Sequence, residues 1–286
     1  MRIALSLIFG MTGALAAAIV MPATNEARTA LQIQWSNNFL TIRGDRLPGD
    51  IVINYLEAYC RPGSTNRDWG ETVIGHKTEL VSASGDGRMI QLRDKLNDGV
   101  EVTHRISAAE DEVDFRLIAI NRTSDESLAH WAQPCIRVDK FTGCTTSDAR
   151  TLVPAYARQC FIFLGGKMAR LPTEPWAERA RYTPGQVYCP RHVDRNDVNP
   201  RPLSALVPSN GLTGCISADG QQVMGVAWEP YQEIFQGVIA CIHSDFRVGG
   251  LKPGESKEIR GKMYLVRHDI PALVARYERD FPEQIR

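Results

Sequence analysis

Apolar and polar residues alternate with a period of two through much of this chain, and that alternation decides its fold class. Leu31-Gln32-Ile33-Gln34-Trp35 is the pattern of a strand with one face buried and one face wet. Ile51 to Tyr55, Val100 to Ile106 and Val113 to Asn121 repeat it. In Val113-Asp114-Phe115-Arg116-Leu117 the apolar groups take one face and the charges take the other. Turn residues stand between the runs, at Gly44-Asp45, Leu47-Pro48-Gly49, Gly85-Asp86-Gly87, Asn97-Asp98-Gly99 and Asp219-Gly220. Short strands joined by such turns imply an all-β chain, an antiparallel meander folded into a sandwich. Two stretches depart from the rhythm. Pro172 to Pro208 is dense in Pro, Arg, Asp and Asn with little periodicity, and reads as a long excursion from the sandwich. At the end, Asp269 is placed as an N-cap with Pro271 in the first turn. Ile270, Leu273, Val274 and Tyr277 then follow the i, i+3, i+4, i+7 spacing of one short helix.

The N-terminus indicates a compartment. Arg2 is followed by an uncharged run from Ile3 to Val20 that closes on small residues, the form of a cleaved export signal. The expectation is a signal over residues 1–18, one β-sandwich domain over 31–286, and a secreted or periplasmic protein. The alternative, an uncleaved anchor, lacks the positive cluster that usually follows a spanning segment. No stable membrane insertion is therefore expected after cleavage. The 33 basic and 33 acidic residues cancel, which argues against a nucleic-acid partner. Seven cysteines would allow at most three disulfides in an oxidising compartment, with buried free thiols as the other reading. None sits in a Cys-x-x-Cys, and no HExxH, HxH or HxxxH occurs, so neither a metal nor another cofactor is expected. Nucleophile-elbow, Walker and dinucleotide-binding glycine motifs are absent as well.

Three clusters remain as candidates for chemistry. His130-Trp131-Ala132-Gln133-Pro134-Cys135-Ile136-Arg137 gathers an imidazole, an indole, an amide and a guanidinium in one segment. Indoles stack on the C–H faces of sugars, and amides and guanidinium groups bind hydroxyls or a carboxylate. Trp228-Glu229-Pro230-Tyr231-Gln232-Glu233 and Cys241-Ile242-His243-Ser244-Asp245 add carboxylates and an imidazole that burial can tune for acid–base work. In the third, Glu57 and Arg61 read as a pair near a strand end, with Trp69 and His76 beyond them.

Read in order, these segments resemble the galactose-mutarotase-like, or aldose-epimerase-like, β-supersandwich. The likeness runs from Leu31 to Arg267 and is carried by three places. Val113 to Asn121 with the polar turn Arg122-Thr123-Ser124-Asp125-Glu126-Ser127 resembles a family strand after which a catalytic His follows, and His130 stands in that position. Met224-Gly225-Val226-Ala227-Trp228-Glu229-Pro230 resembles a strand that the family ends with a Trp-Asn-Pro-like turn. Gly250-Leu251-Lys252-Pro253-Gly254-Glu255-Ser256, running into Lys257 to Val266, resembles its Pro-Gly-Glu turn and late strand. One departure matters: where the family carries a catalytic Glu in a Cys-Val-Glu-like context, this chain has Cys241-Ile242-His243. The resemblance implies the fold and a sugar-facing groove, without the central carboxylate of ordinary mutarotation.

The resulting expectation is a carbohydrate-active protein, an isomerase, lyase or hydrolase acting on a mono- or oligosaccharide. His130 and His243 would act as an acid–base pair with Glu229 beside them. Trp131, Gln133, Arg137, His76 and Asp245 would bind the substrate, Trp131 by stacking and Arg137 by orienting a hydroxyl or a uronate carboxylate. A non-catalytic glycan-binding protein and a structural envelope protein stapled by its cysteines are the alternatives.

Overall fold

A computed structural model describes residues 30–64, 67–144, 155–173, 187–237 and 239–285; the N-terminal run read as a signal lies outside them. The strands are β1 (Gln32–Ser36), β2 (Phe39–Arg43), β3 (Ile51–Cys60), β4 (Val73–Ile74), β5 (His76–Ala83), β6 (Met89–Leu96), β7 (Val100–Ala108), β8 (Glu112–Asn121) and β9 (Trp131–Arg137). They continue with β10 (Cys160–Leu164), β11 (Lys167–Arg170), β12 (Val187–Tyr188), β13 (Thr213–Ile216), β14 (Gln222–Glu229), β15 (Tyr231–Gln236), β16 (Cys241–Arg247) and β17 (Ser256–Arg267). The first sheet runs β1-β2-β3-β9-β16-β15-β12, with β4 on β3, and the second runs β11-β10-β13-β14-β17-β8-β7-β6-β5. Neighbouring strands pair antiparallel, as the alternation implies.

The two sheets share one apolar core. Ile51, Ile53, Ala132, Ile136, Ile242 and Phe246 come to it from the first sheet, and Leu92, Val102, Phe115, Leu117, Met224 and Trp228 from the second. The Trp228 ring lies between Phe115 (centroids 5.1 Å apart) and Phe246 (4.8 Å), joining the layers. A buried polar knot does the same nearby: Tyr59 donates to Asp94 Oδ2 at 2.5 Å, His104 Nε2 meets that oxygen at 2.9 Å, and Tyr55 meets His104 Nδ1 at 2.9 Å. Because every member has a partner, the knot specifies how the sheets meet without leaving Tyr or His groups unsatisfied.

The helix forms where the spacing places it, at Ile270–Asp280, with Asp269 Oδ1 accepting from Ala272 N at 3.0 Å. Its buried Leu273 and Tyr277 cover Phe161, Leu212, Ala227 and Tyr264 on the outer face of the second sheet. The seven cysteines are all free and buried, which follows the buried-thiol reading rather than the disulfide one; Cys60, Cys144, Cys160, Cys189 and Cys215 sit in apolar clusters. Part of the 172–208 excursion falls outside the described residues, but 187–204 is ordered by burial. Val187, Cys189, Val193 and Val198 form a small apolar cluster with Phe235 on the outer face of the first sheet.

Gly261 sits directly across β17 from Trp228, and a Cβ there would fall inside the contact radius of the indole ring. Gly261→Ala is expected to lower unfolding stability by about 1–3 kcal/mol through overpacking, measured by urea unfolding. A loss below about 0.5 kcal/mol, the level of an ordinary surface change, would contradict this packing.

Candidate functional site

The outer face of the first sheet is where the polar groups gather, and strand register explains why. On β9, Ala132 and Ile136 turn into the core, so Trp131, Gln133, Cys135 and Arg137 turn outward. On β16, Ile242 and Phe246 turn in, so Cys241, His243, Asp245 and Arg247 turn outward beside them. The pairing sets Trp131 opposite Arg247 and Cys135 opposite His243, and on β15 it sets Glu233 opposite Asp245.

Residues 187–204 lie over this face and bond to it. Asn199 N donates to both Glu233 oxygens (3.1 and 3.0 Å). Asn199 Nδ2 donates to Gln133 Oε1 at 2.9 Å, and Gln133 Nε2 donates to Glu57 Oε2 at 2.8 Å. At the other corner Asp197 Oδ2 meets His130 Nδ1 at 2.9 Å and accepts from Arg247 Nη1 at 3.1 Å. Gln232 closes the corner, accepting from Arg247 Nη1 at 2.6 Å and donating to the Asp197 carbonyl. This corner reaches solvent: the His130 side chain is 23% exposed and Arg247 20%, while Asp197 is only 7%. Trp69, 38% exposed, lies beside Arg201, whose guanidinium carbon is 6.0 Å from the indole centroid and 5.1 Å from that of Phe235.

Two features give this corner chemical character. A carboxylate at Nδ1 favours the neutral tautomer with its lone pair on Nε2. Gly250, at φ +73°, lies where a Cβ would come within 3.1 Å of that Nε2, so a larger residue there would crowd the ring. Deeper in the face, burial pushes the Glu233 carboxyl up to about 8; the Asn199 amide and Arg201 pull against that rise, and Asp197 adds to it. Burial, followed by Glu233 and Glu57, also drives Asp245 far above the usual carboxylate range. The Asp197 Oδ1 atom and both Asp245 oxygens have no hydrogen-bond partner among the described residues, a cost of about 1–3 kcal/mol each.

The structure brings some of the expected residues together and separates others. His130, Gln133, Trp131 and Asp245 do share one face with His243 and Arg137. His130 and His243, however, lie five register positions apart, about 16 Å along the strands, so they form no acid–base pair. His243 is buried and stacks on Phe235, with centroids 4.2 Å apart and rings 3° from parallel. Trp131 is fully buried, its Nε1 donating to Ser64 Oγ at 3.1 Å, so among the described residues the exposed indole is Trp69. Arg137 ends β9 at the far end from His130. His76 packs edge-on against Tyr59 at 5.1 Å, at the start of β5 in the second sheet. Glu229 ends β14 in that sheet and accepts from Gln284 Nε2 at 2.6 Å. Glu57 pairs with Gln133 rather than with Arg61, which donates to the Val73 carbonyl at 2.5 Å.

Asp197, Asn199 and Arg247 were not singled out by the sequence. Arg247 continues the outward alternation Cys241, His243, Asp245, a signal that period two could have supplied. Asp197 and Asn199 come from the aperiodic excursion, where no pattern marks one polar residue over another. A shallow cleft of about 510 Å³ lies elsewhere, on the outer face of the second sheet, lined by Arg93, Arg105, Arg116 and Ile118. Its lining also includes His104, whose Asp94 partnership is sealed in the core with both side chains at most 1% exposed, whereas His130 reaches solvent, so the His130 corner is the stronger candidate on chemistry.

No family model matches this sequence, and no curated protein matches it. Among solved structures the chain is similar to a galactose mutarotase-like protein from Lactobacillus casei, at 8% identity over 82% of this chain and 99% of that one, TM-score 0.41. It is similar to an α-N-acetylgalactosaminidase from Bifidobacterium bifidum at 11% identity, over 88% of this chain and 37% of that one, TM-score 0.47. An α-mannosidase from Enterococcus faecalis is similar at 10% identity, over 90% of this chain and 30% of that one, TM-score 0.47. The antiparallel sandwich read from the sequence is present in the two sheets. Residue roles rest on the geometry above.

The raised Glu233 carboxyl gives a signed pH test. Its proton is held more tightly when folded, so its contribution is complete below the ordinary Glu range near 4.5 and lost as pH rises through about 8. Stability should fall across that window by up to about 1.4 kcal/mol per pH unit, and Glu233→Gln should flatten the fall. Urea unfolding at intervals across the window measures it; an equal slope in the variant would contradict the assignment.

Proposed function

We propose that this is an exported carbohydrate-active protein that holds a sugar at the open corner of the first sheet's outer face and moves a proton there with His130. The observation that carries the reading is Asp197 held between His130 Nδ1 and Arg247 Nη1. An imidazole oriented by a buried carboxylate, on a side chain that reaches solvent, is equipped as a general base. Arg247 adds a fixed positive charge beside it, suited to a developing oxyanion or to a uronate carboxylate. Glu57, exposed and bonded to Gln133 on the same face, supplies acceptors for hydroxyls. Isomerase and lyase chemistry begin with such a proton transfer, and hydrolysis needs one as well; the uncharged N-terminal run supports export.

A second reading, glycan binding without turnover, is favoured by one observation. Glu233 and Asp245, the two carboxyls that hold protons most tightly, are fully buried beneath 187–204. That leaves His130 as the partly exposed member of the set.

A thermal-shift screen of the mature protein against mono- and oligosaccharides, uronates included, tests both readings, because a ligand bound only to the folded state raises Tm. The stabilising sugar is expected to lose its shift in Arg247→Met and to keep it in Arg105→Gln, on the other sheet. Under the enzymatic reading, turnover of that sugar falls about 10²–10⁴-fold in His130→Ala. Binding with no turnover by the wild type selects the glycan-binding reading. A shift unchanged in Arg247→Met and His130→Ala would remove the site from this corner.

A further inference from the structure

The other end of the same sheet face holds a different set of side chains. Cys241 and His243 lie two residues apart on β16 and therefore point to one side. Cys135 is directly across from His243 on β9. The two Sγ atoms and a ring nitrogen of His243 all fall within 4.8 Å of one another, and all three residues are buried. We propose that Cys135, Cys241 and His243 form a binding site for a thiophilic divalent cation of the zinc class.

The spacing suits a tetrahedral ion. Zn–S bonds of about 2.3 Å and Zn–N bonds of about 2.0–2.1 Å place sulfur and nitrogen about 3.6 Å apart in a tetrahedron. Cys241 Sγ and His243 Nε2 are 3.4 Å apart. Three protein ligands would leave one corner for water.

A second observation points to the same ion. His243 Nδ1 is buried with no hydrogen-bond partner among the described residues, and neither oxygen of the fully buried Asp245 has one. Asp245 Oδ1 lies 3.9 Å from that Nδ1. A metal on Nε2 would fix the proton on Nδ1, and a small approach would let it donate to Asp245. This is the carboxylate–histidine–metal relay that orients many metal-bound imidazoles. One cation thus accounts for two of these orphaned polar atoms, His243 Nδ1 and Asp245 Oδ1, at once. Gly237 belongs to the arrangement, since a Cβ there would collide with Cys241 Sγ.

Binding is balanced by the release of two thiol protons to solvent, so the ion adds no net charge to the buried site beyond that of the ligands it neutralises. The competing fate of two close thiols is a disulfide between Cys135 and Cys241. A lone thiol–imidazole hydrogen bond would explain the 3.4 Å contact but not Asp245. The inference stands whether or not a sugar binds at His130, because its readout is spectroscopic.

The test uses the full chain, purified with its thiols intact and titrated with Co²⁺ alone. About one Co²⁺ per chain should bind with intense thiolate-to-cobalt charge-transfer absorption and four-coordinate d–d bands, and Zn²⁺ should displace it. Cys135→Ser and Cys241→Ser should each abolish the charge-transfer intensity or weaken binding more than about 100-fold. Asp245→Asn should weaken it about 10–100-fold, as loss of an outer hydrogen bond does. Cys215→Ser, in the second sheet, should keep the wild-type spectrum. The absence of thiolate–cobalt absorption in the wild type would overturn the proposal without reference to any variant. So would absorption that survives the Cys135→Ser, Cys241→Ser double substitution, or a Cys135–Cys241 disulfide in the unreduced protein.

Discussion

The antiparallel pairing of β9 with β16 is the constraint on which the rest of this site depends. With Trp131 opposite Arg247 and Cys135 opposite His243, every outward residue of both strands lands on one face, and every inward one feeds the shared core. A slip by one residue would exchange the two sets, burying Asp245 and Arg247 against Trp228 and turning Ile242 and Phe246 to the polar side. The apolar core therefore fixes the geometry of the polar face. The core residues and the candidate functional residues are alternate members of the same two strands.

That face would be costly if it were simply covered. Residues 187–204 reduce the cost by supplying the Asn199 amide to Glu233 and the Asp197 carboxylate to His130 and Arg247. Burial favours the neutral forms of Glu233 and Asp245, since a neutral carboxyl is cheaper to bury than a charged one. The result is graded along the strands. At one end lies a buried cluster of sulfur and imidazole, in the middle lie two buried carboxyls, and at the other end is a corner open to solvent. A rigid, buried interior behind an accessible imidazole is the arrangement that positions a catalytic group well.

The fold was legible in the sequence because period two and turn chemistry are local signals. Val113 to Asn121 became β8 and Leu31 to Trp35 nearly all of β1, and Asp269 capped the helix, each for a reason contained within a few residues. The site was legible only in part. His130, Gln133 and Asp245 were marked by their types, and the alternation placed them on one face. What the sequence did not carry was depth and distance. Trp131 looks like a stacking platform, yet its hydrogen bond to Ser64 and its burial make it core. His130 and His243 look like a pair, but separation along the strands is invisible until the register is known. Asp197 lay in an aperiodic stretch, so its contact with His130, 67 residues away, had no local trace. Cys241-Ile242-His243 was noticed as a departure from a carboxylate, and its partnership with Cys135 emerged only from cross-strand pairing.

The central claim is that sugar recognition occurs at the His130–Asp197–Arg247 corner. The most direct measurement is side-chain NMR of the labelled protein titrated with the sugar that raises its Tm. The account predicts that the His130 ring and the Arg247 guanidinium shift together and saturate with one affinity, while Arg93, Arg105 and Arg116 stay still. Shifts confined to those arginines on the second sheet, with His130 and Arg247 unmoved, would contradict it.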